Sequence, residues 1–197
     1  MTRLLAAALV LLSCSAIAQT APVRLRGTVE KIDGQTLALK TNAGNSVTLK
    51  LADNYAVMGI SKASVADIDT TKYIGTTTVG ERDGALVALE VHIFPEAMRG
   101  TGDGHRDWDL RPNSKMTNAA VANVSAMGKD RVMTVQYKGG EKKILVTDST
   151  VVVSYAPTER SALKSGAAVF VVAEKQPDGS LTAARVNVGL NGQTPPM

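Results

Sequence analysis

Cysteine is nearly absent. The 197-residue chain has one, Cys14, so no disulfide can form within it, and a cysteine-rich structural zinc site is excluded. Aromatic residues are few: Trp108, Phe94, Phe170, Tyr55, Tyr73, Tyr137 and Tyr155. Histidine occurs twice, as His92 and His105. An excess of one charge is missing too. Twenty-two Lys and Arg stand against 18 Asp and Glu, a formal net charge of +4, and the cations are scattered. No dense basic stripe exists to track a phosphate backbone, and Tyr137 and Phe170 stand singly in apolar alternation. Nucleic acid is therefore not an expected partner.

Long hydrophobic runs are also wanting. Residues 4–12 are unbroken apolar sequence after the basic start Met1-Thr2-Arg3, too short to anchor the chain across a bilayer. Ala16-Ile17-Ala18 follows with the small-x-small pattern of a cleavage point, so residues 1–18 read as a signal peptide. Cleavage after Ala18 predicts a periplasmic or secreted protein with no integral membrane segment and no cysteine. Leu11-Leu12-Ser13-Cys14 also has the look of a short lipobox, and a lipoprotein anchored at Cys14 is the alternative.

What the chain does contain is a repeat. Asp83-Gly84-Ala85-Leu86-Val87-Ala88-Leu89-Glu90-Val91-His92-Ile93 returns 95 residues later as Asp178-Gly179-Ser180-Leu181-Thr182-Ala183-Ala184-Arg185-Val186-Asn187-Val188. At the same offset residues 51–58 fall on 146–153, residues 64–68 on 159–163, and Val29 on Val124. A register held over separated blocks predicts duplication. The expected domains are a barrel over 23–93, a linking loop over 94–118, a second barrel over 119–189 and a tail over 190–197.

Each unit reads as strands. Val23, Leu25, Gly27 and Val29 alternate with polar residues, as do Leu37 and Leu39, then Val47, Leu49 and Leu51. Asp33-Gly34, Asp83-Gly84, Lys138-Gly139-Gly140 and Asp178-Gly179 supply hairpin turns. Between the third and fourth strands, residues 61–68 and 161–166 predict a helical turn, capped in the first copy by Ser64, whose apolar residue plugs a barrel end. The expected fold class is all-β: a tandem duplication of a small OB-like or SH3-like β-barrel, with a long irregular linking loop. One continuous sandwich drawing strands from both repeats is the other arrangement the pattern permits.

The link lacks periodicity yet holds the sole tryptophan and one of the two histidines. Unstructured segments of that length are commonly functional. Phe94, Met98, Arg99, Arg106 and Trp108 are therefore expected to form a binding surface. His92, Glu96, Asp103, His105 and Asp107, with Asp109 nearby, are the candidate ligands for a divalent metal, the one cofactor the residues suggest. Catalytic patterns fail on inspection. His105-Arg106-Asp107 has Pro112 where a kinase catalytic loop needs asparagine. Gly100-Thr101-Gly102-Asp103-Gly104-His105 lacks the last glycine of a dinucleotide loop, and no serine sits in a G-x-S-x-G elbow.

Gly27-Thr28-Val29 and Ile32-Asp33-Gly34, with Ala162-Leu163-Lys164-Ser165-Gly166 and the closing strand over residues 178–186, resemble a family of small exported bacterial β-barrel repeats of unknown function. That family recurrently carries a D-L-K-x-G turn and a D-G-x-L-x-A-x-x-V closing strand. The first copy keeps the aspartate but loses the glycine in Asp67-Ile68-Asp69-Thr70-Thr71. The segment from Pro95 to Gly102, continuing to Trp108, resembles a two-repeat subgroup. The resemblance implies a barrel fold and export, and carries over no catalytic or ligand residue. The expected function is thus a non-catalytic binding or structural module of the cell envelope, contacting an envelope protein or polymer through residues 94–120. A periplasmic metal-binding or small-molecule-binding protein using His92, His105 and nearby carboxylates is the alternative.

Overall fold

The alternating segments become strands in a computed structural model that describes residues 21–197, so the signal-peptide reading and Cys14 lie outside the described residues. In chain order the strands are β1 (Val23–Asp33), β2 (Thr36–Thr41), β3 (Ser46–Lys62), β4 (Tyr73–Arg82), β5 (Ala85–Ile93), β6 (Gly104–Asp107), β7 (Lys115–Met127), β8 (Asp130–Tyr137), β9 (Gly140–Val146), β10 (Val151–Pro157), β11 (Ala168–Lys175) and β12 (Leu181–Gly189). Three single helical turns, Val65–Asp67, Glu96–Met98 and Arg160–Ala162, complete the regular structure. The all-β expectation holds.

Five strands close a barrel. β1 pairs with β2, β2 with β3, β3 with β12 in parallel, β12 with β11, and β11 returns to β1. The residues whose alternation marked an inner face line its core: Leu25, Val29, Leu37, Leu39, Leu49 and Leu51 are buried with Val169, Val171, Val186 and Val188. Leu163, just past the third helical turn, joins that core as its plug.

Seven more strands bond outside this barrel. β5, β4, β7, β8 and β9 follow one another, and β9 meets β5 again through Leu86↔Ile144 and Val87↔Leu145. They enclose a second cluster including Ile74, Val91, Val121, Met133, Val135 and Ile144, plugged by Ile68. β10 lies antiparallel to the end of β3 and parallel to β5, and β6 lies along β7.

The closed barrel is therefore not drawn from residues 23–93. Its first three strands come from the first expected unit and its last two from the second. The hairpin β4–β5, read as the closure of its own unit, instead bonds to β7, β9 and β10. The physical reason is the length of β3: it bulges between Leu51 and Ala56 but runs on for 17 residues without a hairpin, stays paired with β12 as far as Ile60 and carries β10 along its last residues. The chain leaves before it can fold back, and the next hairpin lands on the far side.

The registers are near-copies. Val186↔Val57 in β12–β3 corresponds to Val91↔Val152 in β5–β10, both at the offset of 95. β3 and β10 cross at Ile60↔Tyr155, two residues that are also 95 apart. The first strand departs from this offset. Gly27 faces Val169 as Ala119 faces Ile74, so the offset there is 92, and Val29 corresponds to Val121 rather than Val124.

The link is also more ordered than its composition indicates. Within 94–118, β6 pairs its four residues with β7, which already begins at Lys115. β6 carries no alternation because Gly104, His105 and Arg106 are all half-buried and Asp107 is exposed.

Candidate functional site

Where β3 crosses β10, the two apolar interiors give way to a third cluster. Met58, Ile60, Tyr73, Phe94, Met116, Val153, Tyr155, Phe170 and Met197 pack there, with Met98 and Trp108 partly buried against them. A cavity of about 330 Å³ opens within it. β5 contributes His92, with Phe94 just beyond its end; β10 gives Tyr155, β11 gives Phe170, and β12 gives Asn187. The ordered link and β7 supply Trp108, Met116 and Asn118.

The aromatic rings hold one another in place. His92 stacks on Tyr155 with centroids 5.1 Å apart and meets the Phe94 edge at 4.8 Å. Trp108 stands edge-on to Phe170 at 6.4 Å. The His92 ring is fixed from behind, because its Nδ1 lies 2.9 Å from Glu90 Oε2. Glu90, 1% exposed, also accepts bonds from the Thr77 backbone N–H at 2.8 Å and the Thr77 hydroxyl at 2.6 Å. Tyr155 donates to Met197 Sδ at 3.2 Å. Burial first, then the nearby Glu90, raises the Tyr155 hydroxyl well above the ordinary tyrosine range, so it stays protonated.

Three arginines edge the cavity: Arg24, Arg106 and Arg185. The Arg24 guanidinium lies 4.0 Å from the Trp108 ring centroid and Arg106 lies 5.7 Å from it. Burial, and then the neighbouring Arg24, pull Arg106 below the usual arginine value. Asp109 stands beside them, bonded to Arg26 at 2.7 Å and 3.7 Å from Arg24. Although burial opposes it, these bonds hold Asp109 below the usual carboxylate range. Among the described residues, neither Arg106 nor Arg185 has an ion-pair partner.

Five buried side-chain polar atoms lack a hydrogen-bond partner among the described residues, and three of them belong to residues lining this one cavity: Trp108 Nε1, Asn118 Oδ1 and Asn187 Oδ1. Both asparagines are more than nine-tenths buried. Each is tethered through its other end, since Asn118 Nδ2 donates to the Thr101 carbonyl at 2.9 Å and Asn187 Nδ2 to the Phe170 carbonyl at 3.0 Å. Buried polar atoms normally find partners. These three atoms are themselves shielded from water, although their residues border the cavity.

The residues singled out in the sequence are divided by the structure. His92, Phe94, Arg106 and Trp108 come together around the cavity. Of the five residues expected on an outward surface, Phe94 is buried, Met98, Arg106 and Trp108 are half-buried, and Arg99 alone is exposed. The expected metal ligands separate, each into its own partnership. Glu96 pairs with Arg99, Asp107 with Lys115, and Asp103 accepts from the Tyr73 hydroxyl and the Lys138 backbone. His105 Nδ1 meets Thr117 Oγ1 at 2.8 Å. No group of three His, Cys, Asp or Glu side chains able to hold a metal ion occurs among the described residues.

Sequence reasoning missed Glu90, Tyr155, Phe170, Asn187 and the arginines of β1 and β12. A signal was present at three of them. Ile60 and Tyr155, Gly75 and Phe170, and His92 and Asn187 are counterparts at the offset of 95, and each pair differs sharply in chemistry. The repeat is kept where it packs and broken where it lines the cavity.

The chain matches no family model, no curated protein and no solved structure. No helix among the described residues is long and apolar enough to cross a membrane.

Proposed function

We propose that the protein is an exported, non-catalytic binding protein of the bacterial cell envelope, and that its ligand site is the aromatic cavity at the β3–β10 crossing. The observation that carries this reading is an aromatic-walled cavity of about 330 Å³ edged by Arg24, Arg106 and Arg185, of which Arg106 and Arg185 have no ion-pair partner among the described residues. A cavity of this size lies within the usual range of small-molecule sites. His92, held from behind by Glu90, contributes a rigid wall.

Export rests on residues 1–18, which favour a periplasmic or secreted protein, with lipid attachment at Cys14 as the alternative. The resemblance to exported barrel repeats supports the same address. We further read the chain as a tandem duplication of a five-stranded OB-like barrel whose copies have exchanged their closing hairpins, a reading supported by the matched registers of β12–β3 and β5–β10.

Trp108 is the only tryptophan and lines the cavity, so its emission reports occupancy. Native mass spectrometry of protein purified from envelope extract is expected to show a non-covalent adduct of small-molecule mass. Removing it should change Trp108 fluorescence, and adding back the extract's small-molecule fraction should restore the signal. Protein that carries no adduct, and whose fluorescence and unfolding midpoint ignore that fraction, would overturn the reading.

A further inference from the structure

We infer that residues 194–197 are a displaceable strap, and that Met197 holds part of the cavity until a ligand takes its place. The inference rests on the cavity being the ligand site, and concerns what controls its filling.

The occupant is visible. Met197 is 1% exposed and borders the cavity beside Tyr155 and Phe170. Its sulfur accepts from the Tyr155 hydroxyl at 3.2 Å, and its carbonyl oxygen accepts from Arg26 Nε at 2.7 Å. Arg26 is fixed independently of the strap. Its Nη2 bonds Asp109 at 2.7 Å, and its guanidinium lies 5.1 Å from the Phe170 ring centroid. An unbranched thioether adapts to an irregular space between aromatic rings, so methionine suits a filler that comes and goes.

Little else holds the strap. After β12 the chain turns through Asn191 and Gly192, both at positive φ, and the Gln193 N–H bonds the Leu190 carbonyl at 2.9 Å. Beyond that turn, residues 194–197 make no backbone–backbone hydrogen bond among the described residues. Pro195 and Pro196 have no N–H to give, and Thr194 is exposed. Segments so sparsely bonded are the ones that open locally at least cost. The link is built differently. It too reaches the cavity, through Trp108, but four residues of β6 tie it to β7. The strap can leave without breaking a ladder.

Gly189 gives the strap its path. A Cβ there would overlap the Gln193 carbonyl oxygen and lie 3.3 Å from Pro195 Cδ. Gly189→Ala therefore lifts the strap at its base, and Gly189 is not among the residues lining the cavity. Population sets the size of the effect. A site open in about one molecule of ten binds its ligand about tenfold more weakly than one that is always open.

The test titrates the full mature chain, Met197→Ala and Gly189→Ala, each freed of any adduct, with 8-anilinonaphthalene-1-sulfonate. Its rings suit the walls, its sulfonate suits the arginine edge, and energy transfer from Trp108 reports where it sits. Both variants should bind it at one site, about tenfold or more tighter than the parent chain. In the parent, the Met197 methyl signal, assigned through its contact with the Tyr155 ring, should move to the position of free methionine as the probe saturates. That shift is read on the unaltered chain, so it stands even where circular dichroism shows a variant to be unfolded. Equal affinity in all three proteins with an unmoved methyl signal would overturn the strap and leave the cavity a ligand site. Absence of binding in all three would also overturn it, because a vacated seat walled by Tyr155 and Phe170 should take the probe. Whether the cavity reading survives then turns on the envelope adduct alone.

Discussion

Gly75 shows how closely single residues are fitted around the cavity. A Cβ at this position would lie 2.0 Å from His92 Nε2 and 2.7 Å from Asn118 Oδ1. Gly75→Ala therefore has to push His92 off Glu90 and Tyr155, and is expected to cost about 2 kcal/mol or more, the penalty of overpacking a filled core. Urea unfolding checks the stability; ring-current shifts of the Tyr155 protons check the displaced stack. Wild-type stability with unchanged shifts would show that the fit at Gly75 is loose. His92 itself illustrates what one sequence can reveal. Its place in the repeated closing strand is legible, but the sequence casts it as a metal ligand and not as a buried ring. Its burial depended on Glu90 two residues earlier, which reads as an ordinary surface acid until β4 brings Thr77 against it.

Elements were read more easily than side chains, for a physical reason. Hairpins are local: Asp83 and Gly84 both adopt positive φ, 53° and 74°, as their residue types suggest. The helical turn at Val65–Asp67 carries the capping box of Ser64 and Asp67, visible from residue type and spacing. β6 was not legible, because its identity comes from its partner rather than its own pattern. It is pinned to β7 partly by His105 on Thr117 Oγ1. Burial, then Lys142 and Lys115, lowers the His105 pKa below 6.5, with Asp107 opposing and Arg106 assisting. A depressed histidine favours the folded state fully above its unfolded pKa of about 6.5, and that contribution falls away as pH drops from there through the folded value. Unfolding midpoints are thus expected to decline between pH 7 and 5, and His105→Gln should flatten that slope. An identical slope in the variant would place the acid sensitivity elsewhere.

At the scale of the whole molecule, the repeat was legible and the way its copies join was not. Periodicity and turn residues specify which strands exist, while the partner of a closing hairpin depends on whether the chain turns back or runs on after Leu51. The two possibilities differ in what a fragment can do. Residues 21–93 contain β1 through β5 but lack β11 and β12, which complete the barrel around Val29 and Leu39. That fragment is expected to show no cooperative thermal transition, whereas the full chain should unfold in one step seen alike by circular dichroism and Trp108 emission. A fragment melting sharply with strand-rich circular dichroism would mean that the first copy can close on its own.

The pairing of Val23 with Ala173 has a consequence in time. A ribosome delivers residues in order, and domains commonly fold as they emerge. This barrel has no such option, since β1 has one edge unmatched until β11 is made and β12 has followed. Contacts this distant in sequence form slowly. The five strands of this barrel stay open until nearly all of the chain has been made, whereas β4 to β9 can pair among themselves well before that.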